Sequence, residues 1–444
     1  MILSNIKKYL RKKTREHTKN KVFYLKAIIH LIRYFLFSKY RRNRCLIDPP
    51  SEFFYKYKKL INLFSIPLLI CAKYLKKRKI FISIHNNCNF SVGHIYGEIQ
   101  FLKNMQKVKR KYSKSTIWFT STRKEILGST KNLFETKNFK VLFGGLKRVF
   151  LTFVAIKDPS ISIDGSLSID NYVFGEKELS RKADHYYKPV KRAKILLKNL
   201  EFYPNKDQLP NYFEEKNKLM KNLEIKKKYI LIQIKREKIN GTIKPLNSDV
   251  LMKSINYFQN KDYQIVLAGR EQFPEIFLNN SIIDYANSKY ANPFNDFIIV
   301  GNCSLVISSA SGFCFLAESF DKPLLITNAH HISHHSGRRT IYVPTLLSRR
   351  TEMFNATTQF KYLCAYGPDC GFDNFDDFYI LHQPTSLEIL NASKELEKMI
   401  NNPVPDFTTL QKKIRNNRSC PLLSDGLSRI SDNYLSNHEY FFRN

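Results

Sequence analysis

From Lys79 onward the chain alternates two kinds of apolar pattern. Short compact runs, "KIFISIH" from Lys79, "STIWFTS" from Ser115, "NFKVLFGG" from Asn138 and "SISIDGS" from Ser160, predict strands. They are rich in β-branched and aromatic residues and end in small or polar ones. Stretches at helical spacing, such as "GHIYGEIQFLKNM" from Gly93, lie between them. A Pro- and Asn-broken helical connection runs from His185 to Lys228. A second series follows: "KYILIQIK" from Lys228, "YQIVLAG" from Tyr263, "SIIDYA" from Ser281, "CSLVISS" from Cys303 and "KPLLITN" from Lys322. Apolar runs this continuous belong to strands buried on both faces, as in doubly wound parallel sheets. The pattern therefore predicts an α/β protein with two Rossmann-like domains, residues 78–215 and 216–385. A basic helical region, 1–77, precedes them, and a helical tail, 386–444, follows.

The N-terminal region has its own pattern. "VFYLKAIIHLIRYFLF", Val22 to Phe37, carries Lys26, His30 and Arg33 at spacings that share one helical face. Two readings stay open: a basic amphipathic helix lying on an anionic membrane, or a helix packed on the protein with a basic outer stripe. "INLFSIPLLICA", from Ile61, is short for a membrane span and contains Pro67, so it predicts a buried helix.

Charge sharpens this picture. The formal net charge is +35, from 73 basic and 38 acidic residues. Fourteen Lys and Arg fall in the first 50 residues, against Glu16 and Asp48. Such an excess suits a polyanion, an anionic membrane or phosphorylated ligands. The joint abundance of Lys, Asn, Ile, Phe and Tyr is also what AT-rich coding produces. No recognisable nucleic-acid module appears, and the basic excess is concentrated at the N-terminus, which argues against a nucleic-acid partner. Eight scattered cysteines form no CxxC and no zinc spacing, pointing to reduced thiols in a cytoplasmic compartment. No secretory signal fits the basic N-terminus.

In open α/β sheets ligands bind beyond the carboxyl ends of the strands. Lys235 and Arg236 follow the first strand of the second series, Gly269 and Arg270 the next. Ser308, Ser309, Ser311 and Gly312 follow "LVI", and Asn328 follows "LLIT". The serine cluster predicts a tight turn into a helix beginning near Phe313. Hydroxyls and amides there suit an anion, with Gly312 allowing close approach and Lys235 and Arg236 supplying charge for a diphosphate. An ordinary serine N-cap is the other reading. Glu318, two turns into that helix, suits a ribose or sugar hydroxyl, or lies solvated on the surface. "NAHHISHHSGRR", from Asn328, holds two His pairs four apart but no accompanying carboxylates, so contacts from Arg338 and Arg339 to phosphate or sugar fit better than a metal. In the first domain His94 stands at a strand-to-helix turn, where it suits a general base or a local cap.

The stretch from Ser281 to Asn328 resembles the C-terminal core of a bacterial family of glycosyltransferases from surface-polysaccharide gene clusters. The matching residues are IDYA from Ile283, then Asp296 ahead of a helix, an apolar strand, S-x-S-G from Ser309, an "A-E-x-F-x-K-P" passage from Ala317 and the final Asn328. The wider likeness is to the GT-B fold of two facing Rossmann-like domains. The resemblance implies a nucleotide-sugar donor bound mainly by the second domain, metal-independent transfer with no cofactor, and a glycan or lipid-linked acceptor. Such an enzyme would work in the cytoplasm, peripherally on the inner membrane. Lys235, Arg236, Ser309, Ser311 and Gly312 would hold donor phosphate; Gly269, Arg270, Glu318 and Asn328 the nucleotide or sugar; His94 would be the base. Many retaining members carry two glutamates eight apart; here Glu318 matches the second, while Ala310 stands at the first. Alternatives are another enzyme of this fold, such as a nucleotide-sugar epimerase, and a non-catalytic membrane- or glycan-binding protein.

Overall fold

The structure is a computed structural model. It describes residues 65–84, 110–121, 134–143, 212–234, 248–269, 281–309, 311–329, 337–349, 379–416 and 427–439, with scattered positions between 99 and 163. The predicted helix at Val22–Phe37 lies outside the described residues.

The first element is helix α1, Ser65–Lys77. Pro67 sits in its first turn, where a missing N–H costs nothing. Leu68, Ala72 and Leu75 are buried along one face. The opposite face is exposed and largely apolar, so the expected buried helix is buried on one side only. Strands β1 (Ile80–Ile84), β2 (Thr116–Ser121) and β3 (Phe139–Phe143) follow and form a three-stranded sheet of order β1-β2-β3. The fourth run expected here, from Ser160, opens on a 3₁₀ turn, Pro159–Ile161, and beyond it the Ile163 amide donates to the Ile82 carbonyl of β1 at 3.2 Å. Proline starts that turn, and the Asp158 carboxylate accepts from the Ser160 amide and hydroxyl. No helix among the described residues is long and apolar enough to cross a membrane.

The chain divides into two compact units, and from Glu178 onward it belongs to the larger. Its elements are α2 (Tyr212–Asn222), β4 (Tyr229–Gln233), α3 (Met252–Asn260), β5 (Gln264–Leu267), β6 (Ile283–Asp284), α4 (Pro293–Asn302), β7 (Leu305–Ser309), α5 (Gly312–Ser319), β8 (Leu324–Ala329) and β9 (Thr340–Pro344). After them come β10 (Leu346–Arg349), β11 (Tyr379–His382), α6 (Ser386–Glu397), α7 (Thr409–Arg415), β12 (Arg429–Ile430) and α8 (Asp432–Asn437). Seven strands form a sheet of order β12-β9-β8-β7-β4-β5-β6. Every pair in it is parallel. Strands β10 and β11 pair antiparallel beside it in sequence, as a separate two-stranded sheet.

The continuous apolar runs explain the sheet. Every residue of β4, β7 and β9 is buried, as expected for strands covered on both faces. Each fully buried Ile, Val or Leu contributes about 1.5–3 kcal/mol relative to exposure. Caps set the helix starts. Asn292 accepts from the amides of Phe294 and Asn295, and Pro293 takes the first helical position of α4. Asp296 thus lies in the first turn of α4 rather than ahead of it. The segment after Ser386 is more than helical, since β12 adds the edge strand beside β9.

Helix α6 packs across the sheet face onto α3. The Ser393 and Ser254 hydroxyls meet at 3.1 Å, and Glu397 accepts from Tyr257 and Lys261. At its start Thr385 and Glu388 form a reciprocal capping box. The other oxygen of Glu388 lies 2.6 Å from His438 Nε2. Burial pushes the Glu388 carboxyl up, but the hydrogen bonds from His438 and Thr385 outweigh it and hold the group down at about 2.

A carboxyl that titrates lower in the folded than in the unfolded chain stabilises the fold fully above the unfolded value, about pH 4.3. That contribution is lost as pH falls through about 2. Glu388→Ala is expected to lower stability by about 1–3 kcal/mol at neutral pH. The gap from wild type should close as the solution is acidified towards the folded value. Urea denaturation at a series of pH values measures it; a gap independent of pH would refute the assignment.

Candidate functional site

The strand order reverses at β4. The chain first steps outward from β4 to β5 and β6, then crosses back to β7 and continues through β8 and β9 on the other side. At such a reversal the connections leave in opposite directions, and the carboxyl ends of the two central strands bound a crevice. Those ends are Gln233 and Ser308, which face each other in register.

Gln233 organises the site. Its Oε1 accepts from the Ser308 hydroxyl at 2.7 Å and from the Ser311 hydroxyl at 2.8 Å. All three strand ends around it are constrained. Ser308 is fully buried, and its hydroxyl also lies 2.9 Å from the Ser309 carbonyl. On the other side, Gly269 follows β5 with φ of +110°. The backbone conformation calls for glycine, and a Cβ there would stand 3.2 Å from Gln233 Cγ, a tight contact. On β8, Thr327 is buried with its hydroxyl 3.5 Å from the Ser308 carbonyl.

Helix α5 starts at this point. Ser311 is its N-cap and accepts from the Phe313 amide at 3.2 Å. Gly312 is the first helical residue, one position earlier than the sequence pattern suggested. Cys314, fully buried on the first turn, donates towards the Ser309 carbonyl. Burial pushes its thiol up, although hydrogen bonds from this turn act the other way, so it stays protonated.

The predicted residues thus fall into groups. Ser311 and Gly269 meet through Gln233, which the sequence reading did not single out. Ser309 ends β7, buried, and Gly312 opens α5. Asn328 lies in β8. Glu318 is not a solvated surface residue: its Oε1 accepts from the Gly337 amide at 2.8 Å and the Thr340 hydroxyl at 2.9 Å, tying α5 to the start of β9. Arg338 and Arg339 both pair with Asp321 instead of standing clear for phosphate. His94, Lys235, Arg236, Arg270 and the histidines from His330 to His335 lie outside the described residues. Among the described residues no three His, Cys, Asp or Glu side chains converge.

A second polar cluster flanks the site below β6. Buried Tyr285 donates to Asp296 at 2.8 Å. Burial, with Asp296 beside it, pushes the Tyr285 phenol far up, so it acts as a donor at any physiological pH. Phe320 packs on Phe297 with ring centroids 4.6 Å apart, over a Gly301 that has no room for a Cβ.

No family model matches the chain, and no curated protein matches it. Among solved structures it is similar to a glycosyl transferase family 9 protein from Veillonella parvula DSM 2008, at 10% identity and a TM-score of 0.42 over 72% of this chain and 97% of that one. It is similar to the ADP-heptose LPS heptosyltransferase II of E. coli, at 12% identity and a TM-score of 0.42 over 72% and 99%. A UDP-GlcNAc 2-epimerase from Neisseria meningitidis matches at 12% identity and a TM-score of 0.30 over 56% and 82%.

The Gln233 contacts make a direct test. Gln233→Ala removes the acceptor of two serine hydroxyls, one of them fully buried, and is expected to cost about 1–3 kcal/mol. Gly269→Ala is expected to cost a similar ~1–3 kcal/mol through its positive φ. Ser311→Ala should cost nearer 1 kcal/mol, the loss of a cap. Chemical denaturation with unchanged m would establish these values; near-neutral effects at both Gln233 and Gly269 would show that the strand ends are not held this way.

Proposed function

We propose that the chain is a glycosyltransferase of the two-domain GT-B type, moving a sugar from a nucleotide-sugar to a surface-glycan or lipid-linked acceptor. The observation that carries this reading is the reversal of strand order at Gln233 and Ser308, with the N-terminus of α5 opening beside it. A crevice there suits a phosphorylated ligand, because backbone amides and the helix dipole favour negative charge. The resemblance of Ser281–Asn328 to a glycosyltransferase core supports the same assignment.

In the proposed reaction an acceptor hydroxyl oxygen bonds to the donor's anomeric carbon. The bond from that carbon to phosphate oxygen breaks, and its electron pair leaves with the nucleotide. Lys235 and Arg236, which follow β4 in the sequence, stabilise that developing charge together with backbone amides at the start of α5. His94 takes the acceptor proton if the transfer inverts. The acceptor is held at a membrane, which gives the basic N-terminal region a partner.

The test is differential scanning fluorimetry of the full chain against nucleotides and nucleotide-sugars. A true donor at a hundredfold excess over Kd stabilises the folded state by about 2.7 kcal/mol. One nucleotide class is expected to give a selective shift that Arg236→Ala abolishes while leaving the unliganded Tm unchanged. The product formed with that donor then separates transfer from epimerisation. A folded protein that no nucleotide stabilises would overturn the reading.

A further inference from the structure

We propose that the outer face of α1 is a docking surface for an anionic lipid membrane. The proposal deepens the membrane clause of the function above and rests on it only for its purpose, since the surface itself is argued from the helix.

Seven large apolar side chains are exposed among the described residues, and four of them lie on α1. They are Ile66 at 71%, Ile70 at 63%, Tyr74 at 55% and Leu69 at 40% exposure. Ile66, Ile70 and Tyr74 are spaced four apart and share one side of the helix. Single exposed apolar residues are ordinary, but four on three turns form a patch that water does not favour. The face opposite, with Leu68, Ala72 and Leu75, is already committed to the protein interior.

Charge selects the occupant. From Ser65 to Lys79 the chain holds Lys73, Lys76, Lys77, Arg78 and Lys79 and no acid. All five are exposed, and no ion pair neutralises them among the described residues. Arg78 stacks over the Tyr74 ring at 5.7 Å, which joins the basic end to the apolar side. Apolar side chains thus dominate the first half of the outer face and cations the second. That is the arrangement of an interfacial helix, with Ile and Tyr reaching the acyl boundary and Lys and Arg at the headgroups. A second copy of this face would bring five like charges against five. An anionic lipid surface satisfies both halves.

Vesicle co-sedimentation of the full chain tests this, using phosphatidylcholine alone and phosphatidylcholine with about one part in three phosphatidylglycerol. The anionic vesicles are expected to bind at least tenfold more tightly, with affinity falling as salt rises. Ile66→Ser with Ile70→Ser should weaken binding about tenfold or more. Replacing Lys73, Lys76 and Lys77 by Gln should weaken it by up to about fivefold per lysine. These sites are exposed, so melting temperatures should hold, and nucleotide binding is measured in parallel on the same variants. No binding to anionic vesicles, or binding that both sets of variants leave unchanged, overturns the docking surface. So does a dimer that the isoleucine variants dissolve without any vesicle binding. Loss of vesicle binding with intact nucleotide binding leaves the transfer reading standing, and the reverse outcome leaves the docking surface standing.

Discussion

One buried amide holds the strand ends of the larger sheet in place. Gln233 stands where the order of parallel strands reverses, and its carbonyl oxygen takes the hydroxyls of Ser308 and Ser311. A polar group at that depth is costly unless paired, and the hydroxyls it receives are equally costly to strand. The requirement spreads outward. Gly269 takes a positive φ that favours glycine, and a Cβ there would press on Gln233. Ser311 is fixed at once as donor to Gln233 and as cap of α5, so the helix start is set relative to β4 and not only to its own strand. The start of α5 is therefore tied to β4 as well as to β7.

The residues that carry the family resemblance prove to be largely braces. Tyr285 is joined to Asp296, Phe320 to Phe297 and Gly301, and Lys322 to the Cys303 carbonyl that ends α4. Glu318 fixes the approach to β9, and Asp321, at a positive φ, gathers Arg338 and Arg339. A doubly wound sheet needs these ties, because each connection must return across a helix and enter the next strand in register. A pattern shared for such reasons speaks first to the fold. The chemistry is argued from where the strands end and from what the crevice there can hold.

Much of that framework was legible in the sequence. Strands β4, β5, β7 and β8 were each readable as an unbroken apolar run, since burial on both faces leaves no polar alternation to confuse the pattern. The Ser-Gly turn into α5 was readable from its cap residues. Gln233 was not, because a single Gln in "LIQIK" carries no local signal; only the register with Ser308 gives it a partner. The two-residue β12 was invisible for a similar reason, being a strand only by virtue of its neighbour β9. The 3₁₀ turn at the start of the Ser160 stretch was not read from the Ser-Ile alternation, although Pro159 and the Asp158 carboxylate favour it. Helix α1 was readable as a helix, but its apolar residues looked like core from every side.

The net charge of +35 looks different once placed on the fold. Within the larger unit a few basic side chains have carboxylates beside them: Lys227 with Asp262, Lys261 with Glu397, Arg338 and Arg339 with Asp321. Such surface pairs add little stability, so their value is not energetic. Among the described residues helix α1 and the turn after it hold no ion pair, and their five cations stand within a few residues of the most exposed isoleucines. Drift towards lysine-rich coding would spread unpaired charge over polar surface generally. It does not explain why unpaired cations and unburied apolar side chains coincide on one helix. That coincidence is what an interface between water and lipid selects, because only there are both halves of the face satisfied together.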